Sequence, residues 1–106
     1  MLFRSKMIKH IVMWRLKDHA EGNNKITNSQ RMKTKLEALR GQIDGALAIE
    51  VGIDFSATDA SMDVALYSEF ADRAALAAYQ AHPAHQAVVA FIKEVVSARQ
   101  LVDYEV

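Results

Sequence analysis

The sequence predicts an α+β domain, a ferredoxin-like antiparallel sheet of four strands with helices on one face. Three observations carry that expectation. Stretches alternating every two residues and stretches repeating every 3.6 follow one another as strand, helix, strand, strand, broken helix, strand. The 106 residues suffice for one core, which buries roughly two thirds of the unfolded surface and leaves no room for a second domain. Two of the strands are apolar on both faces, so the sheet needs cover on the side away from the helices as well. The domain is expected over residues 7–106, with Met1 to Lys6 a short N-terminal extension.

Ile8 to Leu16 opens the order. His10, Val12, Trp14 and Leu16 share one face and Lys9, Ile11, Met13 and Arg15 the other, which suits a strand buried on both sides. Asp18 to Asn24 is polar, contains Gly22, and reads as a loop that ends in a helix cap at Asn24 or Asn28. Met32, Leu36, Leu39 and Ile43 then recur at helical spacing against a charged opposite side, and Gly41 is placed to stop the helix. Leu47, Ile49, Val51, Ile53 and Phe55 alternate with smaller or polar residues, the clearest strand signature in the chain. After a polar turn over 56–61, Met62 to Phe70 supplies an antiparallel partner with Val64 and Leu66 on one face and Ala65 and Tyr67 on the other. Asp72 is placed to cap an alanine-rich helix running to about Ala81. A further helix from Ala84 to about Ala98 carries Val88, Phe91, Ile92 and Val95, and Arg99 to Val106 forms the last strand.

Composition narrows the function classes. Lys plus Arg and Asp plus Glu are equal at 13 each, so no basic surface recommends a nucleic acid or an anionic membrane as partner. Cysteine is absent, which removes disulfides and thiolate metal sites and suits a reducing cytoplasm. No apolar run is long enough to span a bilayer. The four glycines are scattered, so no phosphate-cradling loop is present.

Chemistry concentrates in Tyr79-Gln80-Ala81-His82-Pro83-Ala84-His85, which joins the two C-terminal helices and holds the only proline. Proline keeps the preceding residue out of the α region and suits a helix's first turn. His82 should therefore close one helix and His85 should stand in the first turn of the next, with Tyr79 in the last turn of the first. Both His85 and Tyr79 then face the space between helices and sheet. The proline breaks the register that would align His82 and His85 as metal ligands, so neither a metal nor a cofactor is expected. His10, on an apolar strand face, is a residue of the pocket wall.

Ile8-Lys9-His10-Ile11-Val12, Ile49-Glu50-Val51-Gly52, the Tyr79 to His85 joint and Val102-Asp103-Tyr104 together resemble the stress-responsive dimeric α/β-barrel (Dabb) family, from about Met7 onward. The resemblance implies a ferredoxin-like protomer, a homodimer in which two sheets close into a barrel, and a small apolar cavity in each protomer. The joint is also similar to that of olivetolic acid cyclase, a cofactor-free member that closes a linear poly-β-keto thioester by intramolecular aldol condensation. Carried over by position, His85 matches its catalytic histidine and Tyr79 its tyrosine. The implied wall is His10, Val12, Trp14, Leu36, Leu66 and Val88. Leu36 stands where that enzyme has a helix tyrosine, Trp14 where it has a strand leucine, and Val64 where it has a third-strand histidine. The bulkier Trp14 is expected to reshape the pocket.

Two functions follow as expectations. One is a cofactor-free enzyme that moves a proton on an enolisable carbonyl compound such as a β-keto ligand, with His85 as base and Tyr79 orienting the carbonyl. The other is a non-catalytic stress protein that binds a small apolar ligand or works through its dimer surface.

Overall fold

The computed structural model describes residues 6–106. The expected extension therefore lies, apart from Lys6, outside the described residues. The strands are β1 (Ile8–Leu16), β2 (His19–Ala20), β3 (Asn23–Asn24), β4 (Ala46–Ile53), β5 (Val64–Phe70) and β6 (Val96–Glu105). The helices are α1 (Lys25–Ala38), α2 (Arg73–Ala81) and α3 (Pro83–Val95). Four strands form one antiparallel sheet in the order β4-β5-β1-β6. This is the ferredoxin-like α+β arrangement that the element order predicts.

Central position makes β1 the axis of the domain. Its even residues from Ile8 to Leu16 are all buried beneath the helices. They meet Val64, Leu66, Ser68 and Phe70 of β5, Ile49 and Val51 of β4, Met32 and Leu36 of α1, and Val88, Ile92 and Val95 of α3 in a single core. Ser68 is the one buried hydroxyl on β5, and it donates to the His10 carbonyl at 2.8 Å.

Several local readings change in the folded chain. Asn24 caps α1 by accepting from the Thr27 amide at 2.9 Å. Asn28 is instead fully buried and donates to the Ala20 carbonyl at 2.9 Å. The expected loop before α1 is partly the hairpin of β2 and β3, turned through Glu21 and Gly22, which both have positive φ as a two-residue type I′ turn requires. Gly41 does not supply a left-handed stop. The chain tightens into a 3-10 turn over Leu39–Gly41, and both Gln42 and Ile43 donate to the Leu39 carbonyl. The left-handed glycine after α1 is Gly45, at φ 91°, where a Cβ would lie 3.3 Å from that of Ala75.

β4 stops at Ile53 because Asp54 turns the chain, accepting from the Ala57 amide and the Ser56 hydroxyl. Phe55 is consequently 98% exposed rather than in the core. β5 begins at Val64, two residues later than expected, since the Asp63 amide donates to the Trp14 carbonyl outside the ladder. α3 ends at Val95 rather than near Ala98. Pairing of Val96 to Ala98 with β1, across a register shift at Arg15 and Leu16, draws those residues into β6.

The edge strand β4 is closed by α1. Glu37 accepts from the Val51 amide at 3.0 Å, and Lys33 donates to the Val51 carbonyl at 2.7 Å and to Glu37 at 2.8 Å. Both free backbone groups of that residue are thereby satisfied, which blunts the edge against strand addition. The sheet's outer face has no such cover among the described residues. On it Lys9, Ile11 and Met13 lie beside Ala65 and Tyr67 on one flank and Val102 and Tyr104 on the other. Met13, Val102 and Tyr104 are 40–51% exposed.

Two outcomes test this account. The Asp72 carboxylate accepts from the Ala75 amide at 2.8 Å, so Asp72→Ala should cost about 1 kcal/mol. Thermal unfolding followed by circular dichroism should show this as a fall of about 4–8 °C. Glu37→Ala should leave the Val51 amide without a partner, and hydrogen exchange there should speed up while exchange at the buried Leu66 of β5 stays slow.

Candidate functional site between helices and sheet

The joint forms as the proline dictates. His82 leaves the helical region with ψ 135°, ends α2, and caps α3 as its imidazole Nδ1 accepts from the Ala84 amide at 3.0 Å. Pro83 opens α3, where a missing N–H costs nothing. His82 is thus a structural residue of the joint, and His85 stands half-buried in the first turn of α3.

One carbonyl organises the site. The Gln80 C=O, an unpaired group of the last turn of α2, accepts from His85 Nδ1 at 3.2 Å and from Gln86 Nε2 at 2.6 Å. A carbonyl can only accept, so the proton of the neutral ring sits on Nδ1 and the Nε2 lone pair is free. Burial, the main cause, lowers the His85 pKa below the usual imidazole value, and the charges of His10 and Arg99 add to the fall while the Gln80 carbonyl opposes it. A lowered pKa keeps the ring neutral at neutral pH, as a base requires.

Tyr79 stands behind this histidine. Its ring packs at 4.5 Å from that of His85 and 4.8 Å from Phe70, and Phe70 in turn meets His10 edge-on at 6.3 Å. The Tyr79 hydroxyl is fully buried with no hydrogen-bond partner. Burial pushes its pKa up to about 12, so it stays a neutral phenol. Tyr79 and His85 therefore meet ring against ring and share no hydrogen bond.

Between α1, α3 and the sheet lies a cavity of about 410 Å³. Of the expected wall residues, His10, Val12, Trp14, Leu36 and Leu66 line it together with His85. Val88 does not: it is buried in the core on α3, one residue round the helix from the cavity face. Val89, four residues after His85, takes that place. His10 is buried with its Nδ1 hydrogen-bonded to the Asp103 carboxylate across the β1–β6 pair. The Trp14 indole N–H is also buried, and like the Tyr79 hydroxyl it has no hydrogen-bond partner among the described residues.

Sequence reading missed Gln80, Gln86, Val89, Ile92, Lys93, Val96 and Arg99 on the wall. The spacing of 85, 89 and 93 along one face of α3 was a signal for Val89 and Lys93. Arg99 was hidden, since only the register that sets it opposite Trp14 brings it to the cavity. Among the described residues no group of three or more His, Cys, Asp or Glu side chains is arranged to hold a metal ion. No helix among them is long and apolar enough to cross a membrane.

Known proteins share this architecture. A dimeric protein of unknown function with a ferredoxin-like fold from Bacteroides fragilis is 33% identical, with a TM-score of 0.85 over 99% of this chain and 100% of that one. A Dabb family protein from Mesorhizobium loti is 28% identical, with a TM-score of 0.73 over 93% and 95% of the two chains. The hydroxynitrile lyase of Passiflora edulis shares the fold at 13% identity, with a TM-score of 0.81 over 97% and 95%. No functionally curated protein sequence matches the chain. The family described as the stress responsive A/B barrel domain matches residues 8–106, the whole of the sheet and all three helices, and the chain belongs to that family.

Proposed function

We propose that the protein is a cofactor-free enzyme that moves a proton on a small enolisable carbonyl compound, with His85 as the base. The observation that carries this reading is the free Nε2 of a neutral histidine on the wall of a largely apolar cavity. In that setting Nε2 removes the proton from carbon next to a carbonyl, and the electron pair passes to the carbonyl oxygen. Gln86, on the same wall as His85, carries the side-chain amide N–H nearest in sequence that can donate to that oxygen. On a β-keto chain the enolate carbon can attack a second carbonyl and close a ring, and the likeness of the joint to olivetolic acid cyclase supports this chemistry. Tyr79 acts as a positioning residue that holds the His85 ring from behind.

The second reading is a non-catalytic stress protein that binds an apolar ligand. It is favoured by one observation, the distance that the full burial of Tyr79 puts between its hydroxyl and any ligand in the cavity. Deuterium exchange at the central carbon of acetylacetone separates the two. Under the enzyme reading His85→Ala should slow exchange by about 100-fold or more while leaving the circular dichroism spectrum unchanged, and Tyr79→Phe should slow it by less. The rate should be full above the His85 pKa and fall as pH drops through it, with a midpoint below the ordinary imidazole value of about 6.5. Equal rates in unmodified and His85→Ala protein would leave the binding reading.

The working unit of the proposal is a homodimer joined through the open sheet face. The apolar residues Ile11, Met13, Val102 and Tyr104 support it, as does the dimeric description of the Bacteroides fragilis relative. The absence of cysteine supports a reducing, cytoplasmic setting. Light scattering at micromolar concentration should give the mass of two chains, and Met13→Asp should give the mass of one or unfold the protein. A single-chain mass for the unmodified protein would refute the dimer.

A further inference from the structure

Resting on the reading of the cavity as a substrate site, we infer that its ligand is a small acid, an acyl chain whose carboxylate sits at the rim against Arg99 and Lys93. Two separate elements bring these cations to one opening. Arg99 comes from β6 on the helix-covered side of the sheet, opposite Trp14, and Lys93 from the last turn of α3. Both are exposed, and neither makes an ion pair or a side-chain hydrogen bond among the described residues. Some other basic residues are paired with carboxylates: Lys25 meets Asp18 and Asp63, Lys33 meets Glu37, and Arg73 meets Glu105.

The wall has no compensating acid. Neither Asp nor Glu lines the cavity, and of the two carboxylates on the same strand as Arg99, Asp103 is engaged by His10 and Glu105 by Arg73. Below the rim the surface is apolar, made by Val12, Trp14, Leu36, Leu66, Val89 and Ile92. A volume of about 410 Å³ falls within the range of small-molecule sites. An apolar floor beneath two unpaired cations complements an amphipathic acid, whose chain displaces water below while its carboxylate gains charge-assisted hydrogen bonds above. One guanidinium and one ammonium, with no glycine-rich turn of backbone amides beside them, suit a carboxylate rather than a phosphate. The Arg99 charge reaches His85, so a carboxylate held there also places the carbonyl end of the chain toward the base.

The test measures binding alone and so does not depend on turnover. Calorimetric titration of the unmodified protein with hexanoate and with hexanamide compares one chain with and without the charge. Hexanoate should bind about tenfold tighter or better, with amide shifts at Val89 and Val96 in the NMR spectrum. Arg99→Gln and Lys93→Gln should each reduce the preference, and the double variant should bring the two ligands to near parity. Unchanged hexanamide affinity in those variants would show that the cavity is intact. Equal binding of the two ligands, binding of neither, a preference that survives in the double variant, or tighter Arg99-dependent binding of hexyl phosphate would each overturn the assignment. Hexanoate preference without acetylacetone exchange would keep the acid site and remove the catalytic reading. Exchange without the preference would do the reverse.

Discussion

The two-residue alternation of β1, held between β5 and β6, is the constraint on which the rest depends. A strand at the centre of a sheet has its backbone groups paired on both sides, so only its two faces are free to differ. The even face gives His10, Val12 and Trp14 to the cavity and Ile8 and Leu16 to the ends of the core. The odd face gives Lys9, Ile11 and Met13 to the uncovered side. Slipping the register by one residue would exchange these sets, placing a lysine in the core and a tryptophan in water. The cavity and the open face are thus two outcomes of one register.

The second constraint is the break at His82 and Pro83. A continuous helix would have paired the Gln80 carbonyl with a backbone amide four residues on. Instead the break leaves that carbonyl to His85 and Gln86, and the tautomer of His85 follows from the backbone. The ring then has little freedom, with Tyr79 behind it and Phe70 behind Tyr79. Aromatic packing of this kind fixes a catalytic group through shape, since none of these rings exchanges a hydrogen bond with another.

Polar side chains inside the domain do structural tasks as well. Asn28 fastens the β2–β3 hairpin to α1, and Ser68 ties β5 to β1 at the level of His10. Glu37 and Lys33 close the β4 edge, and the lowered pKa of Glu37, caused first by Lys33 and then by the Val51 amide, records the same contact. Because that carboxyl is favoured in its charged form, its contribution is present above the unfolded carboxylate pKa and is lost as pH falls through the folded one.

Local pattern carried the element order, because periods of 2 and 3.6 are written in the residues themselves: Ile49 and Val51 on β4, Met32 and Leu36 on α1, Asp72 as a cap, His82 and Pro83 as a break. Through the resemblance it also carried the strand side of the cavity wall at His10, Val12, Trp14 and Leu66, together with Leu36 and His85. Element ends escaped it. Phe55 continues the strand alternation yet lies in solvent, since Asp54 turns the chain first, and Val96 continues a helical pattern yet joins β6, since pairing with Leu16 outweighs local propensity. The partners of the site were likewise beyond reach. Which carbonyl takes the His85 proton, that Val89 and not Val88 meets the cavity, and that Arg99 arrives opposite Trp14 depend on register and helix rotation. Those are set by contacts between residues far apart in the chain, so the sequence determined which side chains were available for chemistry, and tertiary packing decided which of them stand together.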